Sequence, residues 1–306
     1  MDSLGEHELA YQHRVIALSL ESKSWTLEGF ADTLYHLKKY KWSCAVWAQA
    51  VLKDPRDARY CNRWGDALFQ LKEYERAAEK YREAVRVAPQ KGSYWDDLGD
   101  CLRRLGQKEQ MFQAYQRAAQ AGWDDAWADL GWCYYGGLGV KQNYDKAFQM
   151  FKHYAEVTRK AYGYYRMANC YYSGQGVEKD FHKAIGYYEK ALKISPHYGS
   201  LLMDFAWVLT KCDNLSLRDY SRAIQLAKES LAINENEEIL ETLALAYFRN
   251  KQYPDAVRMQ ERLIQLWKHN HPDQPVPEGK QEELEKYKKA MQNEPQAATT
   301  ETRMED

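Results

Sequence analysis

The sequence predicts an all-α fold, a right-handed solenoid (superhelix) of stacked antiparallel helix pairs, and three observations predict it. Sliding the chain against itself aligns Ala31, Gly65 and Gly99 at 34-residue steps. Within the aligned segments apolar side chains recur at i, i+3, i+4 and i+7, as in Leu27, Phe30, Ala31 and Leu34, and no segment alternates as a half-buried strand does. The 306 residues include 24 Tyr and 10 Trp but only 8 Pro and 17 Gly, so there is much to bury and little to interrupt a helix.

The elements follow in order. Residues 1–23 suit half a unit, an N-terminal capping helix with Leu9 and Ile16 turned inward. Residues 24–124 hold three helix pairs, in which Trp47, Tyr81 and Tyr115 coincide, as do Ala50, Ala84 and Ala118. A small residue at 31, 65 and 99 lets the second helix approach closely. Pro55 and Pro89 follow the first two pairs because proline cannot continue a helix. The segments Trp95-x-x-Leu98-Gly99-x-x-Leu102 and Cys61-x-x-Trp64-Gly65-x-x-Leu68 resemble the tetratricopeptide repeat.

From residue 125 the period changes. Leu130-Gly131-x-x-Tyr134-Tyr135-x-Gly137-x-Gly139-Val140, then Lys146-Ala147, recurs 37 residues later as Met167-Ala168-x-x-Tyr171-Tyr172-x-Gly174-x-Gly176-Val177, then Lys183-Ala184. This pattern over 125–197 resembles two Sel-1-like repeats, relatives of the tetratricopeptide unit with a longer, glycine-bearing turn. Residues 198–270 are similar to two degenerate tetratricopeptide units, anchored at Ala206 and Ala244, the first with an inserted loop at 211–219. Residues 278–292 carry a thin stripe of Leu284, Tyr287 and Met291, as expected of a C-terminal capping helix with a wet outer face. Residues 293–306 are polar and are expected to be disordered.

Composition excludes several function classes. The net charge is −1, from 43 basic and 44 acidic residues, which leaves no electrostatic footprint for a nucleic acid. No stretch approaches the length of apolar sequence that spans a bilayer, so no membrane partner is expected. The acidic start MDSLGEHELAYQH lacks the features of a leader, and the expected location is cytoplasmic. The six Cys stand singly and are read as reduced core residues. Gly136, Gly137, Gly139, Gly174 and Gly176 lack the preceding strand and the Lys-Ser/Thr of a phosphate loop, and are read as turn glycines with positive φ. His269 and His271 lack a third ligand for a metal, and no His joins a Ser or Cys in a nucleophile motif. Neither enzyme activity, nor a cofactor, nor a metal is expected.

The resemblance implies an interaction scaffold or adaptor that binds a partner peptide or helix in its concave groove. Groove positions are taken as three before, one after and four after each small anchor. They select Glu28, Asp32, Tyr35, Asp66, Phe69, Asp96, Asp100, Arg103, Trp132, Tyr135, Tyr165, Asn169, Tyr172 and Trp207, with Arg166 beside them. The groove is acidic in its first three units and aromatic in its middle, which calls for a protein partner with basic residues. One tetratricopeptide subfamily grips acidic chaperone tails with Lys, Asn and Arg. Glu28, Asp32, Arg63 and Asp97 stand at those positions here, so that partner does not fit. Two alternatives remain: a Sel-1-like enzyme or ligand-binding protein, which the unpartnered Cys133 and Cys170 weaken, and a helical-repeat RNA binder, which the near-neutral charge and acidic groove oppose.

Overall fold

The structure is a computed structural model that describes residues 24–293; the capping segment expected at 1–23 and the tail from 294 onward lie outside the described residues. Among the described residues there are fifteen α-helices and no strand. They are α1 (Ser24–His36), α2 (Tyr40–Lys53), α3 (Ala58–Gln70), α4 (Tyr74–Val87), α5 (Gly92–Arg104), α6 (Lys108–Gln120), α7 (Ala126–Gly136) and α8 (Tyr144–Thr158). Then come α9 (Ala161–Ser173), α10 (Phe181–Ile194), α11 (Gly199–Lys211), α12 (Tyr220–Ile233), α13 (Glu237–Arg249), α14 (Tyr253–Asn270) and α15 (Glu278–Gln292). A short 3-10 turn, Leu215–Leu217, lies between α11 and α12.

The chain divides into two compact units between Arg159 and Lys160, a boundary that falls between the two glycine-turn repeats. In the first unit α1–α8 form four helix pairs, and α2, α4 and α6 also pack on the first helix of the next pair. The second unit holds the pairs α9–α10, α11–α12 and α13–α14, with α15 packed on α14.

Local chemistry sets the helix ends. Asp57, Asn143, Asp180, Asp219 and Asn236 each accept a backbone N–H two or three residues on, satisfying donors that a helix start leaves unpaired. The long turn of the glycine repeats needs left-handed backbone at Gly137, Gly139, Gly174 and Gly176, as their positive φ shows. Gly139 is constrained twice: a Cβ there would lie 2.0 Å from the Lys108 carbonyl oxygen.

The anchor glycines fix the pair geometry. A Cβ on Gly65 would meet the Tyr81 ring at 2.6 Å, one on Gly99 the Tyr115 ring at 2.5 Å, and one on Gly131 the Phe151 ring at 2.4 Å. The second helix therefore brings an aromatic ring against the bare backbone of the first. Burial follows: Trp47, Tyr115 and Phe151 in the first unit and Tyr188 and Phe205 in the second are 0–1% exposed. All six cysteines are free and buried, and burial pushes the Cys61, Cys101 and Cys170 thiols up to about 11, away from reactivity. On α15 Tyr287 is 2% exposed and stacks on Phe248 at 4.6 Å, but Met291 is 37% exposed in the last turn. The apolar stripe expected there narrows to Leu284 and Tyr287.

Candidate functional site: carboxylates and aromatics on the first-helix faces

In the first unit the residue after each anchor glycine is tied to the ring that covers that glycine. Tyr81 Oη donates to Asp66 Oδ1 at 2.9 Å, and Tyr115 Oη donates to Asp100 Oδ1 at 2.8 Å. Arg63 and Arg103, each one turn away, pair with the same carboxylates at 3.2 and 2.8 Å. Asp66 and Asp100 are thus engaged by the fold itself. Where the covering ring is Phe151, with no hydroxyl, the following residue is Trp132 instead, 38% exposed and edge-on to Tyr135 at 5.5 Å and to Phe151 at 6.4 Å.

Further carboxylates crowd the same face. Asn62 Nδ2 donates to Asp97 Oδ2 at 3.0 Å across adjacent pairs. Asp97, Asp66, Asp100, Tyr35, Phe69, Gln70 and Tyr81 line a cavity of about 180 Å³. Burial, with Asp66 beside it, pushes the Asp97 carboxyl up to about 7. Asp96 is pushed up to about 7 by burial and by Asp129 and Asp100; Asp129 is pushed up to about 7 by burial and by Asp100. Asp66 is raised by burial against the hydrogen bond from Tyr81. Clustered anions in a half-dry site raise one another's proton affinity, so these carboxyls take up protons more readily than exposed ones do.

The second unit carries a different arrangement. Tyr165 Oη and Asn169 Nδ2 both donate to Asp204 Oδ2, at 2.7 and 3.1 Å, while Asn169 Oδ1 accepts from Tyr188 Oη. Trp207 is hydrogen-bonded to Tyr172, and the Lys211 ammonium sits 3.6 Å over its ring. Trp207, Met203, Asp204, Glu238, Glu241 and Thr242 surround a cavity of about 360 Å³.

Of the residues picked from sequence, the structure brings Tyr35, Asp66, Phe69 and Asp100 to one cavity, with Asp96 and Arg103 beside Asp129. Glu28 lies apart, paired with Arg59 at 3.1 Å. Tyr165 and Arg166 are each 6% exposed and offer a partner little surface. His271, stacked on Trp267, lies 3.8 Å from Glu237. Sequence reasoning passed over Asp97, Asp129 and Asp204 as site residues. All three stand two before an anchor, which with the position one after it makes an i, i+3 row on the helix. That spacing was the available signal. Among the described residues no helix is long and apolar enough to cross a membrane.

Comparison with known proteins agrees with this architecture. The Sel1 repeat family matches residues 125–152 and 161–193, and tetratricopeptide repeat families match residues 58–91 and 238–275. No curated protein matches the chain in sequence. A Sel1 repeat protein from Oxalobacter formigenes superposes with a TM-score of 0.59 at 19% identity, over 78% of this chain and 99% of that one. The C-terminal part of a tetratricopeptide repeat-containing protein from Cytophaga hutchinsonii gives 0.58 at 19% identity, over 83% and 98%. The APC/C hetero-tetramer Cut9–Hcn1 gives 0.59 at 15% identity, over 90% of this chain and 48% of that one. At such identities the likeness is one of fold. The chain thus carries two Sel1 repeats between tetratricopeptide repeats.

Proposed function

We propose that this chain is a non-catalytic interaction scaffold whose first-unit carboxylate face holds a partner segment rich in lysine or arginine. Repeats of these families commonly serve as protein-interaction scaffolds. The observation that carries the reading is the crowding of Asp66, Asp96, Asp97, Asp100 and Asp129, with Asp96, Asp97 and Asp129 held up to about 7. The fold retains more negative charge there than Arg63 and Arg103 neutralise, and an incoming ammonium or guanidinium relieves that repulsion. The same face repels a phosphate backbone, which favours a protein partner over RNA. In the second unit, Trp207 offers an aromatic surface for an apolar or cationic side chain.

A fluorescein-labelled peptide alternating lysine and leucine tests this by fluorescence anisotropy. Affinity should rise from about pH 6 to about pH 8, as the carboxylates lose their protons, and should fall with salt. Asp97→Asn with Asp129→Asn should weaken binding roughly tenfold. Equal binding by variant and wild type at both pH values would refute the site.

A further inference from the structure

A second surface lies on the opposite side of the first unit, in the cleft between the second helices α4 and α6. Its floor is apolar: Val85 from α4, Leu98 and Leu102 from α5, and Ala114 from α6, with Trp95 at the edge. The Trp95 ring is fixed, because its Nε1 donates to the Pro89 carbonyl at 2.9 Å. Around this floor stand Arg82, Arg86 and Arg117 with Gln110 and Gln113, enclosing about 370 Å³, and no carboxylate lines the cavity.

The arginines of this rim have no carboxylate lining the cleft beside them. Elsewhere in the unit Arg59, Arg63, Arg76 and Arg103 each meet a carboxylate directly. Arg82 donates to Gln110 Oε1 at 3.0 Å, and neither it nor Arg86 nor Arg117 forms an ion pair among the described residues. Three exposed guanidiniums above a dry floor favour an occupant that brings carboxylates and apolar side chains together. A bare oxyanion would satisfy the rim and leave the floor wet; an apolar peptide would cover the floor and leave the guanidiniums without a counter-charge.

We infer that the α4–α6 cleft is a second docking site, which binds an acidic peptide segment with apolar residues between its carboxylates. The scaffold then carries two surfaces of opposite charge on one unit, and this inference stands whether or not the carboxylate face binds a basic partner. The probe is a fluorescein-labelled dodecapeptide alternating glutamate and leucine. Its comparators carry glutamine for each glutamate, serine for each leucine, or phosphoserine for glutamate and serine for leucine. The glutamate–leucine peptide should bind at least about tenfold tighter than the glutamine and serine peptides. Arg86→Gln with Arg117→Gln should abolish most of that advantage, and Arg82→Gln alone should remove part of it. These are exposed positions, and an unchanged melting temperature verifies that each variant is folded. The Asp97→Asn, Asp129→Asn variant should bind this peptide as wild type does. Equal binding by the Arg86, Arg117 variant, or no binding by wild type at about millimolar peptide, overturns the proposal. So does tighter binding of the phosphoserine peptide, which would reassign the cleft to phosphate recognition.

Discussion

The pairs built on Gly65 and Gly99 differ from the pair built on Gly131 in one atom of chemistry. Tyr81 and Tyr115 bring a hydroxyl across the glycine, and Asp66 and Asp100 stand ready to accept it. Phe151 brings none, and Trp132 takes the place of the acid. The lesson is that an acidic stripe read from sequence mixes two kinds of carboxylate. Asp66 and Asp100 are held by the fold; Asp97 and Asp129 receive no tyrosine hydroxyl, sit pushed up to about 7, and are the ones a cationic partner would relieve.

The comparison can be broken at its root. Gly99→Ala should destabilise by about 3 kcal/mol, because its methyl would fall 2.5 Å from a ring with no room to retreat. Gly29→Ala, where a Cβ meets nothing within 4 Å, should cost nothing or stabilise slightly. Thermal or urea unfolding of the two variants distinguishes them.

A smaller effect sharpens it. Asp100→Ala should cost about 1–2 kcal/mol by leaving the Tyr115 hydroxyl without its acceptor, and Tyr115→Phe in that background should recover part of the loss. A double-mutant cycle with coupling near zero would mean that the hydrogen bond contributes nothing.

The smallest effect separates the second kind of carboxylate. Asp97 and Asp129 have folded values of about 7 against an ordinary 3.8. The folded state therefore binds the extra protons, so their contribution to stability is fully present below about pH 4 and lost as pH rises through about 7. Asp97→Asn with Asp129→Asn should raise the melting temperature by a few degrees near pH 8 and by much less near pH 5. A variant equally stabilised at both pH values, or destabilised near pH 8, would refute the assignment.

Much of the architecture was legible because a period of 34 or 37 residues repeats its anchors, and each anchor demands a small side chain for a visible steric reason. The turn glycines were legible for the same reason, since their positive φ excludes most other residues. The rotation of each first helix was harder to read. Asn62 and Tyr165, three before their anchors, turn toward the next pair and hydrogen-bond Asp97 and Asp204 there, so they are buried. The face that Tyr165 was expected to line is occupied by Asp204, two before the anchor. The period fixes which residues are equivalent; only packing on the following pair fixes which way they point. The tyrosine–aspartate ties had a signal, the 15-residue separation of Asp66 from Tyr81 and of Asp100 from Tyr115.

The most direct measurement is calorimetric titration of the lysine–leucine peptide into the protein near pH 7, in two buffers of different ionisation enthalpy. If the crowded carboxylates receive the partner, binding expels protons from groups that titrate at about 7. The heat should then depend on the buffer for wild type and lose most of that dependence in Asp97→Asn, Asp129→Asn. Tight binding with the same heat in both buffers would contradict the account.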